Sequence, residues 1–426
     1  MYHSQMLTKT DAQKLVSQMH SDGLDTISIP ECFSSIDPDI RFKDCTYFDE
    51  CKKVIIAKTI TLITEYCFNE TNVQSVIMIG VKYIGKYAFN SCENLETVDA
   101  PNVEYVKENA FSGCLKLKNI DFPRLIYAGS YAFFDIAVTE FKIPVGLKYI
   151  GFTAIYNDTT IVRIELGNAI PYIEPFRCVS FWIADADNKL YYTLDGSLYS
   201  KNKTILYSLH TDYYTKNDVA LLESITTVSE YAFADIYVKK LTIPINVMRV
   251  CKNAFTYADI EELEIINPNI MLDQYAGIEN SEIRRFSFPN KHSYLTTGNN
   301  YLIDRNKLIY ISISDMGGNV YDFKDVAFFT DICCHSIHYF GVIDISLSLP
   351  NNVVSIEYWF LSNEHIVNIQ LPDSIINIDY GAFDECKCSV EINDSYLYWS
   401  KDGNIYETGS ESLPLNMEYN NNSQIQ

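Results

Sequence analysis

No run of about 18 consecutive apolar residues occurs in this 426-residue chain, so no membrane-spanning helix is expected. Basic residues are scarce: 33 Lys and Arg stand against 55 Asp and Glu, for a net charge of −22. That balance argues against nucleic acid as a partner and against adsorption to an anionic membrane, because both need clustered cations. The first residues, Met1-Tyr2-His3-Ser4-Gln5, lack a basic region followed by an apolar stretch, so no secretion signal is expected and a cytoplasmic location follows. Motifs that carry chemistry are missing too. There is no Gly-x-Ser-x-Gly elbow, no His-Glu-x-x-His and no phosphate loop ending Gly-Lys-Ser or Gly-Lys-Thr. The seven histidines (His3, His20, His210, His292, His335, His338 and His365) are scattered. Neither a catalytic residue nor a cofactor is expected.

What the chain has is self-similarity. Tyr87-Ala88-Phe89 is followed by Asn109-Ala110-Phe111 and Tyr131-Ala132-Phe133, and later by Tyr231-Ala232-Phe233, Asn253-Ala254-Phe255 and Gly381-Ala382-Phe383. From Phe89 to Phe111 to Phe133 to Ile155 the step is 22 residues each time. A fixed period between about 20 and 50 residues marks a solenoid, in which each unit buries its apolar face against its neighbours. A second signature, Leu-x-x-Ile-x-Ile and often Pro, accompanies the first: Leu24, Ile27, Ile29, Pro30; Leu117, Ile120, Phe122, Pro123; Val238, Leu241, Ile243, Pro244. Its last two apolar positions are two apart and share one face of a short strand, which the proline ends. Strands are therefore predicted at about 27–29, 97–100, 119–122, 140–143, 240–243, 285–288 and 368–371, stacked in one curved sheet. Phe89, Phe111, Phe133, Phe233, Phe255 and Phe383 are predicted as a buried spine.

The run from Val81 through Ile84, Gly85, Tyr87, Ala88, Phe89 and Cys92 to Leu95, Val98 and Pro101 resembles the BspA-like leucine-rich repeat family of surface antigens. The resemblance covers roughly residues 24 to 408. It implies a leucine-rich repeat solenoid with short parallel strands on a concave sheet, used for adhesion or protein recognition, often at a microbial cell surface. It carries over no catalytic residue. An intracellular scaffold with the same fold is the alternative that the missing signal and the many cysteines favour.

Eight segments are expected. Residues 1–23 form a capping helix, started by a capping box of Thr10 and Gln13 and apolar along Ala12, Leu15, Val16 and Met19. Repeats fill 24–183, 216–289 and 320–392. Hairpin insertions at 184–215 and 290–319 separate them, and a hairpin cap at 393–410 and a disordered tail at 411–426 follow. Asp195-Gly196 and Asp402-Gly403, between β-formers, are the hairpin signals. Of the twelve cysteines, Cys92, Cys114 and Cys386 share one repeat position and read as buried ladder thiols. Two alternatives stand beside that: a Cys92–Cys114 disulfide, and a metal site among Cys333, Cys334, His335, His338, Cys386 and Cys388. No C-x-x-C pair at zinc spacing supports the metal.

The residues flanking the penultimate apolar position of each strand point outward and line up across the sheet. They are Thr97, Asp99, Asn119, Asp121, Glu140, Lys142, Arg163, Glu165, Lys240, Glu262, Glu264, Arg285, Asn368 and Gln370. A plain solvated face accounts for them, and so does a mixed-charge surface for a protein partner, host or self. The columns lack aromatics, which cluster instead in the hairpins, at Tyr191, Tyr192, Tyr199, Tyr207, Tyr213 and Tyr214 and at Tyr396, Tyr398 and Trp399.

Overall fold

The computed structural model describes residues 5–157, 162–169, 171–174, 181–211, 217–291, 295–297, 301–305, 307–313, 320–323, 326, 328–332, 337–339, 344–357, 366–379, 382–383, 388–392, 398–401 and 404–407. The chain divides into two compact units, Met1–His210 with Ser229–Ala234, and Thr211–Val228 with Asp235–Gln426.

In the first unit the repeats build two parallel ladders, most of them giving one strand to each. The first ladder takes Thr26–Ser28, Lys53–Ile55, Ser75–Ile77 and Thr97–Asp99, paired in that order. It resumes at Glu140–Lys142, Arg163–Gly167 and Phe181–Ala184. The strand expected at 119–122 is reduced to a single bridge, Thr97 to Asn119. Its sequence, Asn119-Ile120-Asp121-Phe122, alternates with two of the poorest strand formers. The expected single sheet is therefore two sheets here, broken at that repeat.

The second ladder consists of two-residue strands: Leu62–Ile63, Tyr83–Ile84, Tyr105–Val106, Tyr127–Ala128, Tyr149–Ile150 and Tyr172–Ile173. Between the ladders sits the core. Phe89, Phe111 and Phe133 are fully buried, as their spacing predicts, and Phe42 and Phe68 extend the stack toward the N-terminus. Ring centroids are 4.7 Å apart from Phe42 to Phe68, then 5.2, 5.2 and 5.9 Å along the remaining steps to Phe133.

In the first unit each Ala-Phe pair is reached through a left-handed residue. The position before this alanine, or before Cys67 in the earliest repeat, has positive φ in Tyr66, Tyr87, Asn109, Tyr131 and Thr153, at 49° to 58°, and the residue four further on does so in Glu70, Ser91, Gly113 and Asp135. A non-glycine residue there costs about 1–2 kcal/mol. The backbone hydrogen bonds it permits offset that: Phe89 N–H donates to the Ala110 carbonyl and Phe111 N–H to that of Ala132, each one repeat away.

At the N-terminus the helix Lys9–Ser21 buries Ala12, Val16 and Met19 and packs beside Thr26–Ser28. Its capping box is Thr8 with Asp11, not Thr10 with Gln13. Gln13 lies inside the helix and bonds Ser17 and the backbone of Thr46. A short strand the sequence does not signal, Gln5–Leu7, pairs with Phe33–Ile36. The unit's hairpin joins Tyr191–Leu194 to Ser197–Ser200 antiparallel, with Asp195 and Gly196 both at positive φ, as the Asp-Gly dipeptide predicts.

The second unit repeats the plan. Asp218–Ala220, Tyr237–Ile243, Asp259–Ile265 and Glu282–Ser287 form one parallel ladder, and Val320–Asp322, Ile345–Ser348, Ile366–Leu371 and Ser389–Ile392 another. Opposite them run Thr227–Val228, Arg249–Val250 and Met271–Leu272, and then Lys307–Ile313, Asp331–Ile332, Ser355–Ile356 and Asn377–Ile378. Phe233, in the first unit, and Phe255 and Phe383, in the second, are buried as expected. Antiparallel hairpins occur at Leu295–Thr297 with Tyr301–Asp304 and at Tyr398–Lys401 with Asn404–Glu407. The tail from 408, and Tyr213, Tyr214 and Tyr396 of the aromatic clusters, lie outside the described residues.

Candidate recognition surfaces

All fourteen outward positions, eight in the first unit and six in the second, are half-buried or exposed. They fall into four groups rather than one column. Thr97, Asp99, Asn119 and Asp121 close the first sheet, with Thr97 Oγ1 donating to Ser75 at 2.9 Å. Glu140 stands opposite Arg163 and Lys142 opposite Glu165. Lys142 lies 3.5 Å from Glu140 and 3.8 Å from Glu165, and Arg163 3.3 Å from Glu165. In the second unit Lys240, Glu262 and Arg285 share one rung line, and Thr242, Glu264 and Ser287 the next. Lys240 sits 2.8 Å from Glu262 and 3.2 Å from Glu264, while Arg285 reaches Glu262 at 3.6 Å. Asn368 accepts a hydrogen bond from Ser389, and Gln370 aligns with Glu391.

The charges of the central groups therefore face each other across strands, with alternate signs one spacing apart. Lys240 holds the Glu262 carboxyl below its usual value, and the two glutamates in turn hold the Lys240 ammonium above its own. Side chains held by partners of opposite sign are ordered before any partner arrives, which lowers the entropy that docking must spend. Lys240 and Glu262 are only about a third exposed, at 31% and 27%, whereas Arg163 and Arg285 stand 53% and 58% free.

A second surface escaped the sequence reading. The outward residues of the first unit's second ladder are Leu62 and then five tyrosines, Tyr83, Tyr105, Tyr127, Tyr149 and Tyr172. Their ring centroids are 4.8, 6.4, 4.7 and 6.0 Å apart; three of the four steps are stacked, and Tyr105 and Tyr127 are tilted by 31°. At the widest step the Lys107 ammonium covers both rings, 5.7 Å from Tyr105 and 4.6 Å from Tyr127. Tyr83 is 41% exposed and Tyr172 61%. Tyr149 donates to Glu174, whose other oxygen accepts the Phe152 N–H at 2.8 Å, and burial together with that carboxylate pushes its phenol upward. The signal was present: tyrosine recurs at the repeat spacing from 83 to 172. Strands of two residues are too short to show as a periodic pattern.

The thiols divide. Cys92 and Cys114 are buried and do not bond each other: Cys92 Sγ donates to the Phe68 carbonyl at 3.0 Å and Cys114 Sγ to that of Phe89 at 3.1 Å. Burial raises both, and it pushes Cys51 up to about 11 and Cys67 to about 12. Among the described residues seven cysteines are free, of which Cys32 is exposed. Cys388, named above among the residues of a possible metal site, is disulfide-bonded. It stands at the entry to a strand, off the ladder position that Cys92 and Cys114 share. Cys333, Cys334, His335 and Cys386 lie outside the described residues, and among those described no three metal-binding side chains converge. No helix among them is long and apolar enough to cross a membrane, a statement that leaves β-barrels aside.

Two parallel ladders closing on a phenylalanine spine every 22 residues define a leucine-rich repeat solenoid. The BspA type leucine rich repeat region matches residues 18–127, 82–181, 207–334 and 343–401, and the chain belongs to that family. A leucine-rich repeat protein from Eubacterium ventriosum, known from its crystal structure, is similar at a TM-score of 0.50 and 20% identity, over 89% of this chain and 94% of that one. A leucine-rich repeat protein from Bacteroides ovatus shares 18% identity over 86% of each chain, at a TM-score of 0.35. A leucine rich cell surface protein from Faecalibacterium prausnitzii shares 17% over 88% of this chain and 84% of its own, at 0.37. At 20% identity the likeness to the Eubacterium ventriosum protein speaks for the fold alone. No curated protein matches the chain.

Proposed function

We propose that the protein is a non-enzymatic recognition or adhesion protein that binds another protein, host or self, on the outward strand faces that carry these charges, taken in each unit by itself. The observation that carries this is the pre-ordered charge pattern around Lys240, Glu262, Glu264 and Arg285, echoed at Glu140, Lys142, Arg163 and Glu165. Alternating signs one strand apart suit a protein surface of mixed charge better than a polyanion or an uncharged glycan. Family membership supports the same reading, because repeat folds use exposed ladders for partners. Thr97, Asp99, Asn119 and Asp121 belong to the proposed face of the first unit, and Asn368 and Gln370 to that of the second.

The test is a pull-down from host and microbial surface extracts with the wild type and with Arg163, Lys240, Glu262 and Arg285 all changed to Ala. A partner retained by the wild type should be lost from the variant, and the difference should shrink as salt rises. Normal binding by the variant, with loss on deleting the 190–214 hairpin, would move recognition to the tyrosine-rich insertion. Where the protein works is a separate question. The seven free thiols among the described residues favour a reducing compartment and the scaffold alternative, and the Cys388 disulfide favours an exported surface protein. Labelling intact cells with an impermeant reagent separates them.

A further inference from the structure

The tyrosine column of the first unit is bordered by a charge pattern with a direction. Immediately before the tyrosines come Lys82, Glu104, Ile126 and Lys148; three residues after them come Lys86, Glu108, Ser130 and Phe152. Lys82 pairs with Glu104 at 3.2 Å and Lys86 with Glu108 at 2.9 Å, so one end of the strip carries a lysine row followed by a glutamate row. Lys148, at the other end, is exposed and makes no ion pair among the described residues.

We propose that this column docks a second copy of the chain, the two tyrosine faces packing antiparallel about Tyr127. Three features point to a copy of the chain itself. Ring faces are already stacked on one another, which leaves edges and hydroxyls outward and no open face for a sugar or base to cover. The column repeats at the strand spacing of about 4.8 Å, so another face built on the same ladder meets it in step along the whole strip. The borders then choose the orientation. Packed parallel, the two faces set Lys82 against the partner's Lys86 and Glu104 against the partner's Glu108, like charge on like. Turned end for end about Tyr127, they set Glu104 against the partner's Lys148, twice by symmetry, and Lys86 near the partner's Glu174. A two-fold contact of this kind is self-complementary and closes.

The strip is narrow and about 20 Å long, four strand spacings. A face that small falls below the roughly 1,200 Å² of a standard interface, so association belongs in the weak class. Such a contact gains where many copies are held close together, as on one surface. It is independent of the first-ladder reading, since the two ladders lie on opposite sides of the core.

Sedimentation velocity of the full chain over a rising concentration series tests it. A concentration-dependent monomer–dimer equilibrium is expected for the wild type. Lys148→Glu should weaken it by about tenfold or more, because it faces the partner's Glu104 with like charge at both symmetric contacts. Glu104→Lys alone should do the same, and the two changes combined should restore dimerisation, since opposite signs then meet again. Tyr172→Ser, at an exposed ring, should also weaken it, with circular dichroism and melting temperature reporting that each variant folds. A wild type that stays monomeric at the highest concentration overturns the proposal. So does a dimer that Lys148→Glu leaves unchanged, or a double variant no better than the singles.

Discussion

The second ladder of the first unit and that of the second unit are built alike and dressed differently. Inward positions match: Ile84, Val106, Ala128 and Ile150 in one, Val228, Val250, Ile332, Ile356 and Ile378 in the other, all buried. Outward, the first unit shows five tyrosines in a row, whereas the second shows Thr227, Arg249 and Met271, then Asp331, Ser355 and Asn377. Alternate residues of the same two-residue strands are thus under different constraints. Inward residues must fill the closed space between the ladders, so they stay apolar. Outward residues answer only to water or a partner.

The sharpest way to break that comparison is at the spine. Phe111→Ala in the first unit and Phe255→Ala in the second should each cost about 3–5 kcal/mol, because both rings are fully buried and leave a cavity. Unequal losses in urea titrations would mean that the inward sets are not equivalent. Gly85→Ala should follow at about 1–3 kcal/mol. Its added Cβ would stand 2.8 Å from the Glu65 nitrogen and 2.9 Å from the Ile63 carbonyl oxygen, backbone atoms of the preceding repeat.

A smaller effect belongs to Gly113, at φ +73° with its nearest neighbour 3.5 Å away. There is room for a methyl group, so Gly113→Ala should cost only the left-handed strain, about 1–2 kcal/mol. Calorimetry of the variant checks it. Replacing Tyr127 by Thr, the residue of Thr227, should cost about 0.5–1.5 kcal/mol per lost ring contact, since the tyrosine column adds little to folding beyond its stacking. A loss on the scale of Phe111→Ala would make the column part of the core.

Least in size is the acid response of the second unit's charge cluster. Glu262 has its carboxyl lowered from 4.5 by Lys240, so its stabilising contribution is complete above that value and is lost as pH falls through the depressed one. Glu262→Gln should narrow the stability gap between neutral and acidic solution, read from urea midpoints on both sides of the shift. An unchanged gap would show that the pair contributes nothing measurable, the common result for exposed ion pairs.

Much of this was legible from residue order. The Ala-Phe spacing located the spine, and Asp195-Gly196 located a hairpin, because each rests on a local requirement: one apolar plug per turn of chain, and positive φ at two adjacent residues. Other features were not. The Asn119–Phe122 segment carries the strand signature yet forms one bridge, since pairing depends on both neighbours as well as on its own pattern. Thr8 displaced Thr10 as the helix cap because Gln5–Leu7 pairs with Phe33–Ile36 and sets where the helix begins.

Sequence by itself determined the period, the inward residues and the family, because burial acts on every repeat in the same way and leaves the same mark every 22 residues. Tertiary structure decided which outward residues become neighbours. Tyr83 and Tyr105 are far apart along the chain and 4.8 Å apart between ring centroids, and Lys240 meets Glu262 and Glu264 only across a strand. Those contacts are made by closing one repeat onto the next, and nothing local in either repeat encodes them.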